Sequence, residues 1–116
     1  MTIEADIAAV LGDWRHALVE SVRRDTPDLS ARQLALLLTV YLAPPPHTVR
    51  GLAQALNISK PAVTRALDRL QGLGYIRRAP DEMDRRNVLI GRTAGGLAYL
   101  RDFAAMVTAG RTGSSR

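Results

Sequence analysis

The sequence contains no cysteine, which excludes disulfides, thiolate zinc sites and cysteine-based peroxide sensing in one step. No run approaches the roughly 18 apolar residues that a membrane-spanning helix needs. The first residues include Glu4 and Asp6 instead of a basic cluster followed by an apolar stretch. A signal peptide is therefore not expected, and the expectation is a cytoplasmic protein without membrane contact. Histidine is scarce too, with only His16 and His47. No glycine-rich phosphate loop or activated nucleophile is visible, so neither an enzyme nor a cofactor is expected.

What is present describes an ordinary globular chain. Its 116 residues are 47% hydrophobic and 23% charged, enough for one domain with a real core. The expected organisation is a single domain over residues 1–110 and a small polar, disordered tail at 111–116. The net charge is +5, and its distribution is more informative than its sum. Residues 1–29 hold three arginines against six acids, whereas Lys60, Arg65, Arg69, Arg77, Arg78, Arg85, Arg86 and Arg92 stand against Asp68, Asp81, Glu82 and Asp84 in 59–92. Such an excess is the footprint of a phosphate-binding surface. A merely solubilising basic face fits the charge alone equally well.

Periodicity divides the chain into helices and a hairpin. Ile3, Ile7, Val10, Leu11, Trp14, Leu18 and Val22 recur at helical steps, predicting an amphipathic helix over 3–24, capped by Thr2. Its stripe needs a cover, from a partner subunit or from the protein's own core. Ser30 and Gln33 form a capping box for a second helix to about Leu42, with Leu29 and Leu34 as a staple. Leu34, Leu37, Leu38 and Tyr41 are its expected inward face, and Pro44-Pro45-Pro46 ends it. Thr48 caps Val49–Leu56, Asn57 suits a left-handed C-terminus, and Ser59 caps a helix over 59–73 with Pro61 in its first turn. Two helices joined by so tight a turn are a helix-turn-helix unit. Tyr75–Arg78 and Asn87–Ile90 read as strands around a charged loop at 79–86, a β-hairpin wing. Thr93 then caps a last helix, over 94–109, that carries Leu97, Leu100, Phe103, Ala104 and Val107, with Gly95, Gly96 and Gly110 weakening its ends. The fold class is mainly α with a small β-hairpin wing, a winged helix-turn-helix.

The helix at 59–73 carries the chemistry. At about 100° per residue, Val63, Ala66, Leu67 and Leu70 face the core, while Pro61, Thr64, Arg65, Asp68 and Arg69 face outward. Ser59 and Lys60 sit at its electropositive N-terminus, which favours phosphate. Arginine matches the acceptors on the major-groove edge of guanine, and threonine or serine can bond bases or phosphates. An ordinary solvated face would present similar residues. In the wing, Arg85 and Arg86 are placed to enter a narrow minor groove, and Asp84 is placed to fix the direction of one of them by an ion pair.

The run VRGLAQALNISKPAVTRALDRL from Val49 to Leu70 leads into Gly74-Tyr75-Ile76-Arg77-Arg78, then Asp84-Arg85-Arg86 and Thr93-Ala94-Gly95-Gly96. In order and spacing this closely resembles the MarR family of bacterial regulators, over roughly Leu29 to Leu100. The resemblance implies a sequence-specific, double-stranded-DNA-binding transcription regulator, expected to be a repressor that binds a pseudo-palindromic operator as a homodimer. It places Ser59, Lys60, Ala62, Thr64, Arg65 and Arg69 on the recognition helix in the major groove, and Arg85 and Arg86 on the wing in the minor groove. It also implies dimerisation through the helices at 3–24 and 94–109, and a small-molecule effector. Two departures stand out. Arg92 occupies a position that relatives usually give to an apolar residue. The sequence also stops soon after its last helix, where relatives continue with a helix that completes the dimer, so a smaller dimer or one resting on the N-terminal helix is expected.

Two other readings compete. Asp13, His16 and Glu20 share a helix face and could in principle ligate a metal, although a His–Glu surface pair is far commoner. A winged helix can also serve protein–protein contact, but it would need an apolar outward face where Arg65, Asp68 and Arg69 stand.

Overall fold

The structure, a computed structural model, describes residues 1–114, and side chains through Gly110. The elements run α1 (Ala5–Arg23), α2 (Ala31–Leu42), α3 (Val49–Leu56), α4 (Lys60–Gly72), β1 (Ile76–Pro80), β2 (Val88–Arg92) and α5 (Ala94–Ser114). The tail expected to be disordered at 111–116 falls outside the described residues for its side chains, and Ser115 and Arg116 do so entirely. The sequence reading grouped 1–110 together; by its contacts the chain divides into two compact units, Leu29–Ala98 and residues 1–28 with 99 onward.

The unit at Leu29–Ala98 begins where Ser30 closes the expected capping box. Its hydroxyl accepts from Gln33 N at 3.1 Å and its own amide donates to Gln33 Oε1 at 2.9 Å. α2 turns a different face inward from the one expected. Leu36, Leu37 and Val40 are buried, while Leu34, Leu38 and Tyr41 are half-buried. They meet Leu52 of α3, Val63, Leu67 and Leu70 of α4, and Ile76 and Ile90 of the hairpin in one core. Thr48 Oγ1 caps α3 by accepting from Gly51 N, and Asn57 takes the left-handed conformation at φ 54°, so α3 and α4 are joined by a three-residue turn at 57–59.

β1 and β2 pair antiparallel, with Ile76 opposite Arg92 and Pro80 opposite Val88. Each strand extends two residues further than expected at its C-terminal end. His47 and Thr48 run along the outer edge of β2, where Ile90 N donates to the His47 carbonyl and Thr48 bridges Leu89. His47 is itself buried, its Nε2 within 3.1 Å of the Ala43 carbonyl oxygen. Among the described residues, every buried side-chain nitrogen or oxygen has a hydrogen-bond partner, as a well-formed core requires.

The start of α5 explains Gly95 and Gly96 differently from the sequence reading. Thr93 Oγ1 accepts from Gly96 N at 3.0 Å and donates to the Gly74 carbonyl at 2.7 Å. Tyr41 Oη lies 2.8 Å from the Tyr75 carbonyl and accepts from Thr93 N. A Cβ at position 96 would collide with the Tyr41 hydroxyl and the Tyr75 carbonyl. These glycines permit close packing that no larger residue allows, which offsets their poor helix propensity. Arg92 has a role here too: its Nε and Nη2 donate to the Val40 and Ala43 carbonyls at the end of α2, and its guanidinium lies 5.7 Å from the Tyr41 ring centre.

In the other unit, the N-cap position of α1 falls on Glu4, not Thr2, and its side chain makes no capping bond. Ala17, Phe103 and Met106 are buried, and Trp14 packs on Phe103 with ring centres 5.9 Å apart. The expected stripe of α1 stays uncovered: Ile7, Leu11 and Leu18 are 45–52% exposed, and Val10 and Val22 more than 60%. Among the described residues, no helix is long and apolar enough to cross a membrane.

Candidate nucleic-acid interface

α4 is anchored along one side and chemically active along the other. Ala62, Val63, Ala66, Leu67 and Leu70 are buried, so the helix cannot roll without exposing a continuous apolar stripe. Ser59 Oγ caps it by accepting from Ala62 N at 3.2 Å. The outward residues are those the helical wheel gave, Pro61, Thr64, Arg65, Asp68 and Arg69, all exposed, and Ser59 and Lys60 are exposed at the helix N-terminus. Ala62 departs from the expected contact set. It is 6% exposed and packs in the core, because the first turn needs a small apolar residue against the body.

The outward charges are not equivalent. Asp68 is paired with Arg78 of β1 at 2.8 Å, and Arg78 also donates to Gln71 Oε1 at 2.6 Å. This bracket ties the hairpin to α4 and removes both Arg78 and Asp68 from the pool of free charges. Lys60, Arg65 and Arg69 have no acidic partner among the described residues. Arg69 lies near Tyr75, whose hydroxyl pKa is pushed up by burial, partly offset by the Arg69 charge.

In the wing, the Asp84–Arg86 pair has the form the sequence suggested. Arg86 Nε and Nη2 donate to the two Asp84 oxygens at 3.0 Å each, and the Arg86 amide donates to Oδ1 at 3.2 Å. The side-chain and backbone donors of Arg86 hold the Asp84 carboxyl below its ordinary range, and Asp84 in turn raises the Arg86 guanidinium. The loop beneath is built by its own backbone: Asp81 N donates to the Asn87 carbonyl, Asn87 N to the Asp84 carbonyl, and Asp81 Oδ1 accepts from Met83 N. Arg86 is therefore an exposed cation whose direction is set. Arg85 and Met83 stand exposed beside it.

Between α4 and the wing lies a cleft of about 600 Å³ that includes Lys60, Thr64, Asp84 and Arg86. It also takes in Thr48, Arg50 and Asn87, none of which the sequence reading placed among the DNA contacts. The available signal was Arg50 in the first turn of α3, off the side that Leu52 and Ala53 bury. The metal alternative gains no support. Glu20 pairs with Arg23 and Arg24, and no three His, Asp or Glu side chains converge among the described residues.

A helix-turn-helix with a two-stranded wing and a directed basic face defines the winged-helix class. The MarR family model matches residues 28–87, slightly over half of the sequence. The chain belongs to the MarR family, a family of transcription regulators and not of enzymes. It is 38% identical over 74 residues to the HTH-type transcriptional regulator PecS of Dickeya dadantii, covering 62% of this chain and 45% of PecS. With the multiple antibiotic resistance protein MarR of Escherichia coli it shares 37% over 71 residues, 61% of this chain and 49% of MarR. The chain thus spans about half the length of these relatives. A structure of mutant E. coli MarR with operator DNA superposes with a TM-score of 0.66 at 26% identity, covering 88% of this chain and 67% of MarR. A mutant of Staphylococcus aureus MepR gives 0.76 at 19% identity, covering 99% and 83%.

Proposed function

We propose that this chain is a cytoplasmic, sequence-specific regulator that binds double-stranded DNA and represses transcription by occupying a pseudo-palindromic operator as a homodimer. The observation that carries the reading is the outward side of α4, where Lys60, Thr64, Arg65 and Arg69 stand uncommitted on a helix locked by its buried stripe. Arg65 and Arg69 supply the guanidinium groups that match guanine in the major groove, and Thr64 supplies a hydroxyl for a base or phosphate. Arg86, directed by Asp84, and Arg85 supply the minor-groove contacts. The operator-bound MarR neighbour supports the same assignment.

The homodimer is supported by the uncovered stripe of α1. So many apolar side chains on one face of one helix are a cost in water that a second copy removes. In such a dimer the two α4 helices are expected about 34–36 Å apart, one turn of B-DNA.

Fluorescence anisotropy with an operator selected from random duplex DNA tests the reading. Arg65→Ala should weaken binding by about 1–3 kcal/mol and relax the preference at one base pair. Arg86→Ala should weaken binding while leaving major-groove discrimination largely intact. If both variants bind as the wild type does, the DNA face is assigned wrongly.

A further inference from the structure

Two helices start at the same cleft. Thr48 and Arg50 bring the first turn of α3 to it, Lys60 brings the first turn of α4, and Arg86 brings the wing. We propose that this cleft seats one phosphodiester of the DNA backbone, with Arg50 as a principal cation. The site is distinct from the base-reading residues Arg65 and Arg69, and the inference rests on the DNA-binding reading above.

Electrostatics select the ligand class. Thr48 and Ser59 each satisfy one amide, those of Gly51 and Ala62, which leaves the amides of Val49 and Arg50 in α3 and of Lys60 in α4 without intrahelical acceptors, Pro61 having no N–H to offer. The positive ends of two helix dipoles therefore converge on one space. Arg50 and Lys60 add full charges and have no acidic partner among the described residues. The one acid in the cleft, Asp84, has both oxygens taken by Arg86. An anion is favoured there, and a guanidinium and an ammonium reaching it from different helices suit the two unesterified oxygens of a phosphodiester.

Position selects the source. On duplex DNA, a sugar–phosphate backbone always separates the major from the minor groove. A protein with α4 in one and the wing in the other must straddle that backbone, and this cleft lies between the two elements. A contact of this kind fixes register without reading sequence, so Arg50 should contribute equally on every duplex.

The test is a salt titration of the full chain, from 50 to 200 mM, on its selected operator and on an unrelated duplex. Wild type, Arg50→Gln, Arg50→Lys and Lys60→Gln are compared, with melting curves to confirm folding. Each neutralised phosphate contributes about −0.9 to the slope of log affinity against log salt. Because Lys60 faces the same phosphate, Arg50→Gln should lose less affinity than wild type across this fourfold range, by up to about 3.5-fold, and should be weaker on both duplexes alike at low salt. Arg50→Lys should keep the wild-type slope. Lys60→Gln, on the other helix but facing the same phosphate, should also flatten the slope, the two changes together by no more than about 0.9, and supplies the answer should Arg50→Gln melt early. An unchanged slope in Arg50→Gln and Lys60→Gln overturns the proposal, as does a loss confined to the operator, which would make Arg50 a base reader. Calorimetry with inorganic phosphate separates the sources: phosphate binding abolished by Arg50→Gln, with DNA affinity unaffected, overturns the backbone seat in favour of a free-anion site. Failure of the wild type itself to show salt-sensitive DNA binding would instead overturn the proposed function, and this inference with it.

Discussion

Asp84 and Gly96 show how single residues position larger parts. The Asp84 carboxylate orients Arg86 through two side-chain bonds, and its pKa is lowered by them. A depressed folded-state pKa means that the pair is intact above the ordinary carboxylate range and dissolves as pH falls through the lowered value. Carboxyl-carbon NMR should therefore give Asp84 a midpoint below the ordinary value of about 3.9, and Arg86→Ala, which removes the side-chain bonds and keeps the backbone one, should raise it toward that value. Equal midpoints in the two proteins would show that the pair does not form in solution. For Gly96, the Tyr41 hydroxyl and the Tyr75 carbonyl fill the place of a side chain. Gly96→Ala should cost about 1–3 kcal/mol by urea denaturation. Gly12→Ala, in the exposed middle of α1 with nothing within 4 Å of its Cβ, should instead stabilise by about 0.5–1 kcal/mol. Sequence reading made Asp84 legible, because an acid beside two arginines in a short loop suggests a positioning pair. It took Gly96 for a weak helix residue, because the tyrosine that occupies the space lies 55 positions away in sequence.

At the scale of elements, signals confined to one turn transferred well and signals that depend on a distant partner did not. The capping box of α2, the left-handed Asn57 and the buried stripe of α4 are decided by residues three or four apart, and each stands where the sequence placed it. The inward face of α2 was ambiguous because Leu34, Leu36, Leu37, Leu38, Val40, Tyr41 and Leu42 surround the helix almost completely. Only the partners in α3, α4 and the hairpin choose among them. Arg92 was likewise opaque: it replaces an expected apolar residue and uses its charge on carbonyls some fifty residues away. Those bonds place a cation on the negative end of α2. Arg92→Leu should lower stability by about 1 kcal/mol in denaturant melts, although leucine is the more hydrophobic residue. A gain in stability would show that the guanidinium bonds contribute nothing.

On the scale of the whole molecule, two features remain unused by a single chain: an apolar α1 stripe and a directed basic face. The stripe was fully legible as periodicity, and the structure adds how much of each of its side chains is exposed. Sedimentation should find a dimer at micromolar concentration. Leu11→Asp with Leu18→Asp should yield a folded monomer, and an unaltered mass would remove α1 from the interface. The basic face was legible through α4 and the wing, whereas the contribution of α3 through Arg50 required the cleft to be seen. The most direct test of the account is selection of bound sequences from random duplex DNA, with the recovered site titrated against salt. The account predicts an inverted repeat with half-sites one helical turn apart and affinity that falls steeply with salt. Recovery of no preferred sequence, with no salt-sensitive retention of DNA, would contradict it.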